Sequence, residues 1–533
     1  MQSALVQTHP ANSSRLLRRA RRALDDGELA KAERLYVECL QHQANSFDAF
    51  YGLGQIHYRR GRLDSALACF QEALKCDLSR AEGFAGLGLV FLALRDFAHA
   101  LNSFQQGLRL EPDNAELLNG EGVSLLELRR PREALACFER VLARCPQHAD
   151  ALGNRGNTLL RLNRVEEAVA AYDRLLELAP NNAPLLANRA AALRRLDRPE
   201  EALASARKAL AIKPGFAQAR FVEAVARLSL GDFAAGWQAY EARWHVGWLA
   251  SQRRDYGAPL WLGKEPLDGK TILLHAEQGL GDTIQFVRYV PLLAAQGASI
   301  VLEVQEPLVR LLSGMSGVAK IVARKEPLPP YDFHCPLLSL PLACATTLAT
   351  IPADVPYLAP AHADLARWQA RLPAQRPLVG LAWSGERSHD NDLNRSLRLE
   401  TLLPLFDSRA VGFVSLQHEV REEDRALLHS RSDIAQIGGE FTDFADTAAA
   451  IAALDAVIAV DTAVAHLAGA IGKPLFLLLP YAADFRWLRE RGDSPWYPSA
   501  QLMRQPRFGD WDAVVRRLRQ DLIDSLGRLS RAA

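Results

Sequence analysis

The stretch ALDAVIAVDTAVAHLAGAIGKPLFLLLP, residues 453–480, decides how the second half of this chain folds. Its first apolar run, Ala456–Val460, is short and rich in β-branched residues, which predicts a strand buried on both faces. The small apolar residues that follow predict a helix over Ala463–Ile471, ended by a glycine and a proline. A second apolar run, Leu475–Leu479, predicts another buried strand. This order of strand, helix and strand is typical of a parallel α/β sheet.

The turn between that strand and that helix has the features of a ligand site. Asp461 and Thr462 stand at the helix start, where either side chain can cap the free N–H groups. A helix that begins directly after a parallel strand presents its positive dipole end at the edge where open α/β sheets bind ligands. Ala463 keeps the first turn small enough for a phosphate to approach, and His466 is the one polar residue of the helix. An ordinary strand–helix unit with a buried histidine explains the same pattern, so both interpretations stay open at this point.

Length and composition indicate a multidomain globular protein. The chain has 533 residues, of which 49% are hydrophobic and 23% charged. A net charge of +1 gives no general attraction to nucleic acid or to a membrane surface. The seven cysteines form no CxxC pair, the N-terminus lacks the apolar core of a signal peptide, and no run is long and apolar enough to span a membrane. We therefore expect a cytoplasmic protein.

The first part of the chain is a tandem array. Segments that begin at Ala81, Ala115 and Ala149 follow one another every 34 residues, the period of the tetratricopeptide repeat. Small residues recur at one position of each helix in a pair, and an aromatic residue stands near the second of them, as close helix packing requires. The recurring residues are Gly54, Gly88, Gly122, Gly156, Ala190 and Ala224, then Ala32, Ala66, Ala100, Ala134, Ala168 and Ala202, then Tyr36, Phe70, Phe104, Phe138 and Tyr172. The pattern predicts about six to seven repeats over residues 1–249, stacked into an all-α superhelix.

The concave face of such a superhelix binds other proteins. Asn154 and Asn188 occupy the same first-helix position in successive repeats, where an amide can bond the backbone of an extended peptide acceptor. A solvated helix face is the simpler interpretation of these two asparagines. The array itself implies protein binding and no chemistry. The aromatic stripe of the last repeat, residues 231–249, is expected to pack onto the next domain, and a linker follows at 250–269.

Residues 270–363 alternate between predicted strands and helices and form a first Rossmann-like half. A strand at Thr271–His275 precedes a helix predicted over residues 282–296. The turn between them carries Gly279 and Gly281, which suit the close approach of a ligand, although the full dinucleotide fingerprint is absent. Asp282 is predicted to be the helix N-cap or, if it faces an interdomain cleft, a general base. His275 and Glu277 at the same strand end are the alternative bases.

The strand–helix order restarts after a proline-rich linker at residues 351–376, and residues 376–533 form a second Rossmann-like half. A long polar loop, residues 385–396, holds Arg395 and is either a binding loop or solvated surface. The triplet Asp390-Asn391-Asp392 has the spacing of a metal-binding pair but is a lone short match, so we predict no metal site. Two such halves facing a cleft form the two-domain GT-B layout of glycosyltransferases, which other sugar-nucleotide enzymes share.

The motifs in these two halves resemble a known family. Gly281-Asp282 in the first turn, together with residues 460–468 and Pro474, resembles the bacterial heptosyltransferases, glycosyltransferase family nine, over about residues 270–506. The resemblance implies that Asp282 is the catalytic base. Ala463 stands where the family has glycine, and the family's phosphate-binding lysine has no counterpart, so we expect Arg395 to replace it.

The resemblance also implies where the donor diphosphate binds. The helix start after the strand, with Arg395 and His466, would neutralise the leaving diphosphate without a metal or any other cofactor. The expected donor-binding residues are Gly279, Gly281, Arg395, Asp461, Thr462, Ala463 and His466.

A tetratricopeptide array fused to such a domain resembles bacterial protein glycosyltransferases, including those that modify flagellin. This implies an inverting, metal-independent transfer from a nucleotide-sugar to Ser or Thr of a protein bound by the repeats, with flagellin as one candidate. Two other functions stay open. One is a non-catalytic repeat scaffold with a nucleotide-sugar-binding domain, and the other is a sugar-nucleotide hydrolase or epimerase of the same architecture.

Overall fold

The structure, a computed structural model, describes residues 10–375, 377–389, 391–406 and 411–532. The chain forms two compact units, which divide between Ala192 and Leu193. Asp390 of the polar loop and Arg376 at the end of the linker lie outside the described residues.

The first unit is a series of helices in which each packs against the next through α10. The predicted repeat starts Ala81, Ala115 and Ala149 are the first residues of three of these helices. The helices are α1 Pro10–Asp25, α2 Leu29–His42, α3 Phe47–Arg59, α4 Leu63–Cys76, α5 Ala81–Ala93, α6 Phe97–Leu110, α7 Ala115–Glu127, α8 Pro131–Arg144, α9 Ala149–Arg161, α10 Val165–Leu178 and α11 Ala183–Arg195, the last of which spans the division.

The recurring glycines are explained by the packing of the paired helices. A Cβ atom on Gly88 would lie 2.6 Å from the Phe104 ring, and one on Gly156 would lie 2.5 Å from the Tyr172 ring. These distances are far inside van der Waals contact, so the aromatic ring fills the space that the missing side chain leaves. The small residue and the aromatic residue of a repeat therefore form one complementary contact between the paired helices.

The repeat pattern continues into the second unit. Three further repeat helices belong to it: α12 Pro199–Ile212, α13 Ala217–Ser229 and α14 Phe233–Tyr240. A 3₁₀ turn at Glu241–His245 and the short α15 at Gly247–Ser251 follow. The predicted domain boundary at residue 249 stays a prediction, and compactness divides the chain earlier.

The first α/β half contains a four-stranded parallel sheet of order β3-β2-β1-β4. Its strands are β1 Thr271–His275, β2 Ser299–Val304, β3 Val318–Ala323 and β4 Phe333–Pro336, and its helices are α16 Leu280–Phe286, α17 Val290–Ala294, α18 Val309–Leu312 and α19 Leu340–Ala343. The single helix predicted over residues 282–296 is wrong. The chain forms α16, a 3₁₀ turn and α17, because Pro291 has no N–H to continue a helix and fits only its first turn.

The second half contains a six-stranded parallel sheet of order β10-β9-β8-β5-β6-β7. Its strands are β5 Leu378–Ala382, β6 Gly412–Ser415, β7 Ile434–Gln436, β8 Ala456–Val460, β9 Leu475–Leu479 and β10 Ala500–Arg504. The helices after the first half are α20 His362–Arg371, α21 Asp392–Arg395, α22 Glu422–Ser430, α23 Phe444–Ala452, α24 Ala463–Ile471 and α25 Trp511–Ala532. The predicted fold class is confirmed: a helical repeat series precedes an α/β region with two parallel sheets. Among the described residues, no helix combines the length and apolarity needed to cross a membrane.

Arginines join the two α/β halves. Arg310 on α18 donates 2.6 Å hydrogen bonds to both carboxylate oxygens of Asp443 and a 2.7 Å bond to Asp446, both in the second half. Arg288 donates to the carbonyl oxygen of Trp496 at 2.6 Å. These contacts fix how the halves face each other.

The last repeat is built into the α/β region by aromatic packing. Trp237 on α14 packs edge-on against Phe286 at 6.1 Å and Phe485 at 5.7 Å, ring centroid to ring centroid. Phe233 on the same helix stacks on Trp496 at 6.3 Å. The expected role of the aromatic stripe as a packing seam is confirmed.

Candidate functional site

Strand order places the candidate site. From β5 the chain proceeds outward through β6 and β7 on one side, then returns to pair β8 with β5 and proceeds outward through β9 and β10 on the other. A crevice opens where strand order reverses, at the carboxyl ends of β5 and β8. Ser384 and Gly385 follow β5, and Asp461 and Thr462 follow β8, so two of the predicted segments meet at this point.

The start of α24 lacks a side-chain cap among the described residues. Thr462 is the N-cap residue, but its hydroxyl donates back to the Val460 carbonyl at 3.2 Å. Asp461 lies toward His466, with 3.7 Å between its Oδ1 and the imidazole Nε2. The expectation that one of the two side chains caps the helix is therefore wrong. The N–H groups at Ala463 and Val464 stay available to an anion at a half-buried surface.

Arg395 lies at the same point. Its Nη1 donates to the Asp461 carbonyl oxygen at 3.0 Å. The polar loop that carries it is held by Arg421, which bonds both oxygens of the Asp392 carboxylate at 2.8 and 2.7 Å and the Gly385 carbonyl at 3.0 Å. The Arg395 Nε and the Ser384 hydroxyl are buried and have no hydrogen-bond partner among the described residues. Unpaired donors of this kind suit an anionic ligand.

The two predicted motifs meet across the interface of the halves. A Cβ atom on Gly281 would lie 2.8 Å from the His466 ring and 3.3 Å from the Cα of Ala463. Only glycine permits the start of α16 to approach the start of α24 this closely. The structure therefore brings Gly281, the residue before Asp282, against Ala463 and His466 of the second half.

Asp282 is not the N-cap of α16. The N-cap is Gly279, and Asp282 is the third helical residue, whose Oδ2 accepts a 2.8 Å bond from the Gly279 N–H. The helix begins earlier than predicted because Gly279 is extended and leaves an N–H for a carboxylate one turn later to accept. The other oxygen, Oδ1, accepts a hydrogen bond from Arg486, and the side chain remains 19% exposed.

His466 is an uncharged residue in this site. It is buried between the Trp487 ring, stacked at 5.3 Å between centroids, and Tyr497, whose hydroxyl lies 3.0 Å from Nδ1. Burial, with the positive charge of Arg486, lowers the pKa of His466 to about 3. A neutral His466 adds no charge that would offset a diphosphate, although its ring can still form a hydrogen bond, and its role in donor binding stays a prediction.

Two carboxylates near Arg486 titrate differently. Burial and the neighbouring charge of Asp484 raise the pKa of Asp461 to about 6. Burial also disfavours the charge on Asp484, but the Arg486 guanidinium and a backbone N–H outweigh it and hold the pKa of Asp484 below its usual value. Below about pH 6 Asp461 therefore carries the proton of the pair.

No role was expected for Arg486 or Asp484, which lie in the loop after β9, residues 480–499. The loop follows β9, the neighbour of β8, so its placement at the same sheet edge could have been inferred from parallel pairing. No local motif points to the individual residues.

The two alternative bases, Glu277 and His275, make buried structural contacts. Glu277 is buried and accepts two 2.8 Å hydrogen bonds from Arg243 of the turn after α14, and a third from the Leu338 N–H at 3.1 Å. His275 is buried and stacks on Tyr256 at 4.1 Å between ring centroids. Each of these side chains has a structural role away from the α24 start.

One of the two asparagines predicted to bind a protein acceptor already has a side-chain partner within the array. Asn154 donates to the Asn119 Oδ1 of the preceding repeat at 3.0 Å, so this amide already bonds a neighbouring side chain. Asn188 is half-buried. Their role in binding a protein acceptor stays a prediction. Among the described residues, no group of three or more His, Cys, Asp and Glu side chains is placed to hold a metal ion.

Family models match both parts of the chain. Two tetratricopeptide repeat models match, one at residues 17–80, 86–130 and 119–183 and another at 171–204. The model of glycosyltransferase family 9 (heptosyltransferase) matches residues 410–492, which include Asp461, His466 and Arg486. The chain thus combines tetratricopeptide repeats with a glycosyltransferase family 9 domain.

Known proteins show more distant similarity. Protein FlbA of Caulobacter vibrioides is 27% identical over 333 residues, which cover 58% of this chain and 55% of FlbA, so this chain spans about half the length of that relative. Among solved structures, YrrB, described as a tetratricopeptide protein with an unusual peptide-binding site, is 23% identical with a TM-score of 0.31 and covers 34% of this chain and 95% of its own. PilF of Pseudomonas aeruginosa is 16% identical with a TM-score of 0.38 and covers 40% of this chain and 97% of its own.

Proposed function

We propose that this chain transfers a sugar from a nucleotide-sugar donor to Ser or Thr of a protein that its repeats bind, with flagellin as one candidate acceptor. The two α/β halves act as a GT-B pair in the cytoplasm, where the seven cysteines stay free thiols. The observation that carries the proposal is the close approach of Gly281, the residue before Asp282, to the uncapped start of α24 in a family 9 domain.

The free N–H groups at the α24 start support the donor half of the proposal. The donor's diphosphate would accept hydrogen bonds from the Ala463 and Val464 N–H groups and from Arg395, whose Nε has no other partner. These groups stabilise the negative charge that grows on the leaving diphosphate, so no metal ion is needed for that purpose. The Ala463 methyl group narrows the approach to the helix but leaves its N–H in place.

The acceptor half of the proposal depends on Asp282. Its carboxylate stands on the opposite half from the donor groups and is partly exposed, so an acceptor hydroxyl can reach it. Removing the hydroxyl proton as the oxygen attacks the sugar is general base catalysis. Attack from the face opposite the leaving diphosphate inverts the anomeric centre, and a base on the facing half suits this geometry.

Asp282→Asn tests the base. The amide oxygen can still accept the Gly279 N–H bond, and Arg486 keeps its other partners, so the free energy of unfolding should fall by only about 2 kcal/mol. Asparagine cannot take a proton at neutral pH, so transfer should fall by roughly 10²–10⁴-fold while donor affinity, measured by calorimetry, stays close to that of the wild type.

Asp332→Asn is the matched control. Asp332 lies at the other end of β1, where its Oδ2 accepts a 2.8 Å hydrogen bond from the Thr271 N–H. The Asp332→Asn substitution should leave transfer unchanged. A stable Asp282→Asn protein with near-normal transfer would remove Asp282 from the mechanism. Tight donor binding without turnover would favour a scaffold, and donor turnover that ignores every protein acceptor would favour a hydrolase or epimerase.

A further inference from the structure

Arg486 is the residue through which the second half touches the candidate base. Its Nη2 donates to the Asp282 carboxylate, and its Nε donates to the Gln285 Oε1 at 2.7 Å. Residues 282 and 285 are three apart on α16 and therefore share one helix face. One guanidinium thus bonds two side chains of the first half at once.

The second half fixes the orientation of that guanidinium. The Asp484 Oδ1 accepts a 2.7 Å bond from the Arg486 Nη1 and a 3.0 Å bond from its backbone N–H. The Phe485 ring lies 4.7 Å from the guanidinium carbon and the Phe286 ring 5.7 Å, so aromatic rings from both halves flank it. The side chain is only 9% exposed, and its three bonding nitrogen atoms are all committed.

We infer that Arg486 is a positioning residue that holds the Asp282 carboxylate in the geometry needed to take a proton, and does so only when the second half is docked on the first. This inference rests on the proposed glycosyl transfer. Docking of the halves itself does not depend on Arg486, because Arg310 and Arg288 also join them. The role of Arg486 is therefore separable from holding the protein together.

Lysine cannot replace this arginine. An ammonium group keeps the charge but lacks the planar set of donors that reaches Asp282, Gln285 and Asp484 together. Misplacing a catalytic group by about 1 Å costs about 10²-fold in rate. Arg486→Lys and Arg486→Gln should each therefore lower kcat by about 10²-fold, while KM for the donor stays within about threefold because the donor groups on α24 are untouched.

A double variant tests whether Arg486 acts through the base. If it does, Asp282→Asn/Arg486→Gln should be no slower than Asp282→Asn alone, because there is no carboxylate left to orient. Arg489→Gln is the matched control. Arg489 lies in the same loop but bonds Asp197 and Glu200, so its loss should change kcat by less than about twofold.

Two results would overturn the inference. One is a kcat for Arg486→Lys within about threefold of the wild type. The other is a fold-loss of kcat in the double variant equal to the product of the fold-losses in the two single variants, as independent effects would give. Failure of the proposed function gives a different result, since the wild type itself would then transfer no sugar to any protein acceptor tested. Arg486→Lys keeps the charge and serves as the folded variant if Arg486→Gln does not fold.

Discussion

The buried ion pair of Arg243 and Glu277 allows a test of whether Glu277 has a structural or a catalytic role. Arg243 follows the last repeat helix, and Glu277 lies in the turn between β1 and α16 that leads to Asp282. Both side chains are almost fully excluded from water, at 0% and 2% exposure. The carboxylates of Glu277 and Glu241 outweigh burial and hold the pKa of Arg243 above its usual value. Glu277→Gln removes the charge from the more deeply buried of these carboxylates.

The expected cost follows from the contacts that remain. Breaking a buried ion pair by removing one partner costs about 3–5 kcal/mol, since the other charge is left uncompensated. Here Glu241 still accepts a 2.6 Å bond from Arg243, and Ser339 accepts another at 2.8 Å. A glutamine also keeps the acceptor for the Leu338 N–H. We therefore expect the lower end of that range, about 3 kcal/mol.

Tryptophan fluorescence during urea unfolding measures this loss selectively. All nine tryptophans lie beyond residue 192, so the signal reports the second unit of the full-length protein. Glu423→Gln is the control, because its exposed pair with Arg387 should contribute only about 0–1 kcal/mol. A Glu277→Gln protein as stable as the wild type would refute the reasoning, and a stable protein without transfer would identify Glu277 as the base instead.

Two further predictions concern the histidine and the repeats. His466 titrates at about 3 when folded and near 6.5 when unfolded, so the unfolded state binds the extra proton between these values. The stability of the wild type relative to His466→Gln should therefore shrink as the pH falls from about 7 to about 4, and a pH-independent difference in urea midpoint would contradict the buried neutral ring. A chain that starts at Leu193 should keep its tryptophan-reported stability within about 1 kcal/mol and its donor binding, but lose transfer to a protein acceptor. A chain that starts at Gly215 should unfold more easily, because this truncation removes α12 and both partners of Arg489. Modification of a protein at the full rate by either truncated chain would disprove the docking role of the array.

Local patterns in the sequence predicted much of the fold. The elements Ala456–Val460, Ala463–Ile471 and Leu475–Leu479 have the bounds expected from two apolar runs and a helix ended by glycine and proline. The repeat period placed the starts of α5, α7 and α9 correctly. These signals are carried by adjacent residues or by a fixed spacing, so they survive without knowledge of distant contacts.

The site depended on contacts that no local pattern encodes. The sequence determined, from motif and order alone, that Asp282 and Asp461 each follow a strand and that Arg395 lies in a polar loop. Only the tertiary structure decided that Arg486 bonds Asp282 and that Arg243 forms an ion pair with Glu277, since these partners come from distant segments brought together by folding. The neutral state of His466 was decided in the same way, because a pKa responds to burial and neighbouring charge, which exist only once the chain has packed.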